Sequence, residues 1–114
     1  MYQFVIPIHH VNWSTRSVLE GIYQKYKPKK IYVITSENEI KILKNKSAKW
    51  KIDNLSLLDE DIFFLKKYGL SKADIVSQIT QNKPNYTPGW LYQQIIKLGA
   101  DDVINEIEEV FVVW

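Results

Sequence analysis

Trp90, Gln93, Gln94 and Lys97 are the side chains of this chain best suited to grip a polar ligand. They lie in residues 87–97, TPGWLYQQIIK, which read as a helix. Thr87 suits the N-cap, and Pro88 suits the first helical position, where a missing N–H costs nothing. Trp90, Gln94 and Lys97 then recur at i, i+4 and i+7, so an aromatic ring, an amide and an ammonium share one face, with Gln93 beside them. A helix built only for packing would carry apolar residues there. Leu91, Ile95, Ile96 and Leu98 supply the apolar positions, and Gly99 is expected to close the helix.

Three further groups could do chemistry. His9 and His10 follow the first apolar run. Adjacent residues at a strand end alternate in direction, so at most one of the pair is expected to face a crevice. Thr35, Ser36 and Glu37 follow the second apolar run in a polar loop extending to Asn38. An acidic group there, Glu37 above all, can accept hydrogen bonds from a ribose or a base. Asp59-Glu60-Asp61 spells a literal D-x-D. It does not follow a long buried strand and reads as the acidic start of a helix, so no metal is assigned to it. Asp101-Asp102 reads as the end of a helix.

These groups need elements to hold them. Residues 2–8 are nearly all apolar from Phe4, as a strand buried on both faces requires, and Pro7 belongs near its end. A helix capped by Asn12 or Ser14 runs to Tyr26, with Val18, Leu19, Ile22, Tyr23 and Tyr26 as its apolar stripe. Residues 31–34 (IYVI) form a second strand, residues 39–43 a short helix, and residues 50–52 a third strand. Helices follow over 59–68, stopped by Gly69, and over 71–80. The second opens on a Ser71/Asp74 capping box, with Leu70 and Ile75 placed as a hydrophobic staple. Residues 101–106 can add a helical turn, and VFVVW at 110–114 is a last buried strand. Alternating strands and helices imply an α/β fold, Rossmann-like, with a mainly parallel sheet of about four strands and helices on both faces. Ligands in such sheets sit beyond the carboxyl ends of the strands. Those ends are His9-His10, Thr35-Ser36-Glu37 and Trp114. Tyr23, Tyr26, Phe64 and Tyr68 fall at helical spacing and are expected in the core, whereas Trp13 and Tyr86 fall in loops.

Composition narrows the partners. A chain of 114 residues is one domain with room for its own core. It has no cysteine, which excludes a disulfide scaffold and a thiolate zinc site. Its net charge of +2, from 15 basic and 13 acidic residues, gives no electrostatic footprint for nucleic acid. MYQFVIPIHH lacks the basic start of a signal peptide, and no apolar run approaches the roughly 20 residues that span a bilayer. A soluble, cytoplasmic protein is the expectation.

FVIPI, IYVITSE and above all GWLYQQIIKL before a final apolar strand resemble nucleotide-sugar glycosyltransferases of the GT-A fold. The likeness is to a bacterial and viral group with a G-W-x-x-Q-Q-x-x-K-L helix. It extends over nearly the whole chain, but only that helix is specific. The resemblance implies binding of a nucleoside diphosphate sugar, with Lys97 at its phosphate or sugar and Gln93 and Gln94 orienting either. It also implies that the last strand leads into an Asp-x-Asp motif holding Mn²⁺ or Mg²⁺, which would begin where the sequence given stops. The chain thus resembles the N-terminal, nucleotide-binding half of such an enzyme. It holds no metal of its own, and weak or absent transfer activity is expected of it alone. A second reading is a non-catalytic α/β domain that self-associates through its apolar C-terminal strand.

Overall fold

The structure, a computed structural model, describes residues 3–82, 85, 87–104 and 111–113, with residues 101, 102 and 111–113 followed through the backbone alone. In chain order the elements are β1 (Gln3–Pro7), α1 (Trp13–Tyr26), β2 (Lys30–Thr35), α2 (Glu37–Trp50), β3 (Leu55–Asp59), α3 (Leu65–Tyr68), α4 (Lys72–Asn82), α5 (Pro88–Val103) and β4 (Phe111–Val113). The four strands make one parallel sheet in the order β3-β2-β1-β4.

Strand alternation sorts the core into two halves. Phe4 and Ile6 of β1 and Ile31 and Val33 of β2 pack with Leu19 and Ile22 of α1, Leu43 of α2, and Ile52. Val5, Tyr32 and Ile34 point the other way, onto Phe63, Phe64 and the α5 stripe Tyr92, Ile96 and Ala100. The sheet is therefore covered on both faces, which is why its two central strands are almost continuously apolar. The fold is Rossmann-like α/β, as the sequence implies.

Local chemistry sets several of the boundaries. Asn12 caps α1: its side chain accepts from Ser14 N at 2.9 Å, and Thr15 Oγ1 accepts in turn from Asn12 N at 3.0 Å. Ser71 and Asp74 form the expected reciprocal box, at 3.0 Å and 3.2 Å. Gly69 ends α3 with φ +69°, a left-handed conformation that glycine adopts without a steric penalty.

Other expectations are corrected. The short helix over 39–43 is a 14-residue helix, α2, that extends through Trp50. Its lysine-rich surface buries only Leu43, so its apolar periodicity is faint. The third strand is consequently Leu55–Asp59, not residues 50–52, where β-prone Trp50 and Ile52 instead end the helix and plug the core. Helix is limited to Leu65–Tyr68 within 59–68, because Asp59 still belongs to β3. Val18, Tyr26 and Tyr68, expected inside, are exposed; Thr15, Leu19 and Ile22 form the buried stripe of α1.

Gly99 does not close its helix, since α5 continues to Val103. A Cβ at residue 99 would lie 3.0 Å from Phe64 Cε1, so the missing side chain serves the approach of α5 to that ring. Thr87 sits at the N-cap of α5 with Pro88 behind it, but its hydroxyl makes no capping bond. Tyr2, Tyr86, Val110 and Trp114 lie outside the described residues, as do 105 and 106.

Candidate functional site at the carboxyl edge of the sheet

The sheet order fixes where a crevice belongs. From β1 the chain proceeds to β2 and β3 on one side, and β4 then pairs with β1 on the other. The order therefore reverses at β1, and the loop that leaves β1 stands at the switch point. That loop holds His9 and His10. β1 ends at Pro7, so strand alternation does not govern the histidines. Both are exposed, and their rings lie side by side with centroids 4.1 Å apart, in place of the expected opposite orientations.

A residue absent from the sequence-derived candidates ties this loop to α2. Glu39 Oε2 accepts from the backbone N–H of Val11 at 3.0 Å, and Glu39 Oε1 lies 3.3 Å from His10 Nδ1. The Glu39 side chain is 14% exposed, against 71% for His10. The Val11 amide first, then the His10 hydrogen bond, hold the Glu39 carboxyl below its ordinary range. Ser36-Glu37-Asn38-Glu39 has the spelling of a capping box, with Ser36 at the N-cap of α2. That spelling is the signal that could have singled out Glu39. In the fold Ser36 makes no side-chain capping bond, and Glu39 reaches to the β1–α1 loop.

Of the second group, Thr35 is fully buried at the end of β2. Its carbonyl accepts from Glu60 N at 2.8 Å, while its Oγ1 has no hydrogen-bond partner. Ser36 is half-buried with its hydroxyl uncommitted to the cap. Glu37 begins α2 instead of lying in a loop; it is exposed and lies 4.0 Å from Lys41, one turn on.

The D-x-D at Asp59-Glu60-Asp61 begins on the last residue of β3, a five-residue, half-buried strand, so it follows no long buried strand, as expected. It does not open a helix, since α3 starts only at Leu65. Its contacts are structural. Asp59 Oδ1 accepts from Asp61 N at 2.9 Å. Glu60, buried, pairs with Lys72 Nζ at 3.0 Å, and its carbonyl accepts the Tyr92 hydroxyl proton. Lys72 also stands over the Tyr92 ring, 5.7 Å from its centroid. Burial, then the charges of Glu60, Asp61 and Asp59, push the Tyr92 phenol well above its ordinary range, so it remains a donor. Among the described residues no three His, Asp or Glu side chains converge as a metal site.

This joint brings the start of α5 to the same edge of the sheet. With Tyr92, Ile96 and Ala100 turned inward, Trp90 is left 55% exposed. Gln93, Gln94 and Lys97 are half-buried, and among the described residues their side chains form no hydrogen bond or ion pair. Trp13, at the first turn of α1, is also exposed. A hollow of about 220 Å³ lies beside the β1 loop, lined by Ile6, Ile8, His10, Asn12, Ser14 and Thr15 among others. Larger hollows lie elsewhere: about 590 Å³ beside Tyr23, Lys29 and Asp53, and about 650 Å³ along β3 near Ser56 and Phe63.

A parallel sheet covered by helices on both faces defines the class: a Rossmann-like α/β protein. Residues 16–114 match the family of unknown function DUF6492, and the chain belongs to that family. No curated protein and no solved structure matches it. Among the described residues no helix is long and apolar enough to cross a membrane.

Proposed function

We propose that this chain is a glycosyltransferase-like domain of the GT-A type that binds a nucleoside diphosphate sugar at the carboxyl edge of its sheet. The observation that carries this reading is the switch in strand order at β1, which sets His9 and His10 at the topological position where α/β sheets take nucleotides. The start of α5, with Trp90 and the uncommitted Gln93, Gln94 and Lys97, is joined to the same edge through Tyr92 and Glu60. Lys97 supplies a positive charge for a phosphate, and the glutamines supply both donors and acceptors for sugar hydroxyls. Ser36 adds a half-buried hydroxyl at the end of β2, whereas the fully buried Thr35 hydroxyl is shut off from a ligand. Mn²⁺ or Mg²⁺, as the resemblance implies, would neutralise the departing diphosphate. The contacts proposed here for the ligand are those of the chain's own side chains.

Calorimetric titration with UDP, GDP and their sugars, with and without Mn²⁺, tests the proposal. Saturable heat with one nucleotide series is expected. Silence across all of them counts against a nucleotide site.

A second reading is supported by a different observation: among the described residues β4, within the apolar run VFVVW, is an edge strand paired to β1 alone. An edge of that kind is a template for association with another strand. In that reading the domain is non-catalytic and self-associates. Light scattering separates the two, since a monomer at all concentrations leaves the edge without that use.

A further inference from the structure

Glu39 stands where the sequence spells a capping box, yet its carboxylate caps nothing in its own helix. Both oxygens are engaged 28 and 29 residues away in sequence, on Val11 N and His10 Nδ1. An ionised carboxylate only accepts hydrogen bonds. With Glu39 held in its ionised form by these contacts, a neutral His10 must carry its proton on Nδ1 to satisfy the bond. Nε2 is then the bare nitrogen, and it has no partner among the described residues. His9, whose ring lies against the same imidazole at a 55° tilt, and Glu39 are the titratable groups in contact with His10 among the described residues.

We infer that Glu39 is a positioning residue that fixes the His10 tautomer, so that His10 offers Nε2 as a hydrogen-bond acceptor to the ligand. The ligand-facing half of this inference rests on the proposed use of the carboxyl edge. It gives that site a chemical preference. His10 recognises an O–H or N–H donor, a sugar hydroxyl or a nucleobase N–H, and it does not bind phosphate oxygen. Protonation of the ring reverses the preference, because both nitrogens then donate. The second oxygen of Glu39 fixes the loop itself through Val11, so that orientation and tautomer are set by one side chain.

The Glu39→Gln variant separates these roles. Its amide oxygen can keep the Val11 bond, which leaves the –NH₂ group toward His10 Nδ1. Nδ1 must then accept, and the ring proton moves to Nε2. Long-range ¹H–¹⁵N spectra of the full chain at about pH 8.5, where an ordinary imidazole is neutral, read the tautomer directly. The expected result is Nδ1–H in the wild type and Nε2–H in E39Q, with the amide spectrum otherwise preserved. A wild-type Nε2–H tautomer, or the same tautomer in both proteins, overturns the positioning role. Titration of both proteins with UDP-glucose at the same pH then tests the ligand-facing half. About a tenfold loss of affinity in E39Q is expected for one misdirected hydrogen bond. Equal affinity despite an exchanged tautomer overturns the acceptor role. No binding by either protein, with the tautomer exchange present, overturns the nucleotide reading and the acceptor role with it, while the Glu39–His10 coupling stands.

Discussion

Alanine should stabilise the fold at Gly21 but not at Gly99, although both glycines lie inside helices. In an open helical position alanine is favoured over glycine by about 1 kcal/mol. Gly21, in α1, meets this condition, since an added Cβ would find nothing within 4 Å. At Gly99 the same methyl would lie 3.0 Å from Phe64 Cε1 and 3.5 Å from its Cζ. The ring borders an open hollow of about 420 Å³ beside Tyr68 and Leu98, and two aromatic neighbours limit its retreat elsewhere. Phe63 sits edge-on at 4.9 Å and Tyr92 edge-on at 6.2 Å, centroid to centroid, and Phe64 itself is buried. Overpacking of a filled core costs roughly 1–3 kcal/mol. The helix gain therefore offsets only part of it, leaving G99A between neutral and about 2 kcal/mol destabilised, while G21A is stabilised by about 1 kcal/mol. Thermal unfolding should show G21A melting about 4 °C higher than the wild type and G99A melting at or below it. Adding Phe64→Leu to G99A should recover part of the second loss. Equal stabilisation by both alanines would refute the close packing of α5 on Phe64, and with it the placement of Trp90 and Lys97.

The Glu60–Lys72 pair should behave as a buried ion pair with one open side, since the two side chains are 9% and 28% exposed. Lys72→Met leaves the carboxylate unpaired and should cost roughly 2–3 kcal/mol, below the full buried-pair penalty because solvent reaches the lysine. In a double-mutant cycle by urea unfolding, E60Q/K72M should be more stable than K72M alone; additive losses would deny the coupling. Glu39, whose carboxyl is held below its ordinary value near 4.5, should stabilise the fold fully above that pH and lose the contribution as pH falls through the lower folded value. The melting-temperature gap between wild type and E39Q should therefore be full above the ordinary carboxyl value and narrow as the solution is acidified below it; a gap that widens in acid would reverse the assigned sign.

The parts of this fold that are legible from residues alone are those where one signal dominates. FVIPI and IYVI are apolar on both faces because the sheet is covered on both faces. Asn12 and the Ser71/Asp74 box begin their helices as their chemistry dictates. Residues 37–59 mislead because the signals there are weak or opposed. α2 buries only Leu43, so its length is not written in apolar periodicity, and Trp50 and Ile52 have strand propensities that tertiary packing overrides. Leu55, Leu57 and Leu58 lie in the edge strand β3, half-buried, where leucine is a faint strand signal. Gly99 shows a different limit. A glycine near a helix end resembles a terminator, and only the position of Phe64 reveals its use.

At the candidate site the polar groups are legible but their connections are not. His9, His10, Thr35 and Ser36 do fall at the carboxyl edge. Glu39 is hidden in the sequence because its bonds span the β1–α1 loop and the start of α2, a distance no local pattern records. Glu37, two residues earlier, is the one that faces solvent.

Backbone amide shifts of the ¹⁵N-labelled chain during titration with UDP-glucose test the central claim most directly. If the carboxyl edge is the ligand site, the changes should concentrate in residues 8–12, 35–39 and 90–97 and saturate together. Changes confined to the opposite edge, around Tyr23, Lys29 and Asp53 where a larger hollow lies, or no change at all, would contradict it.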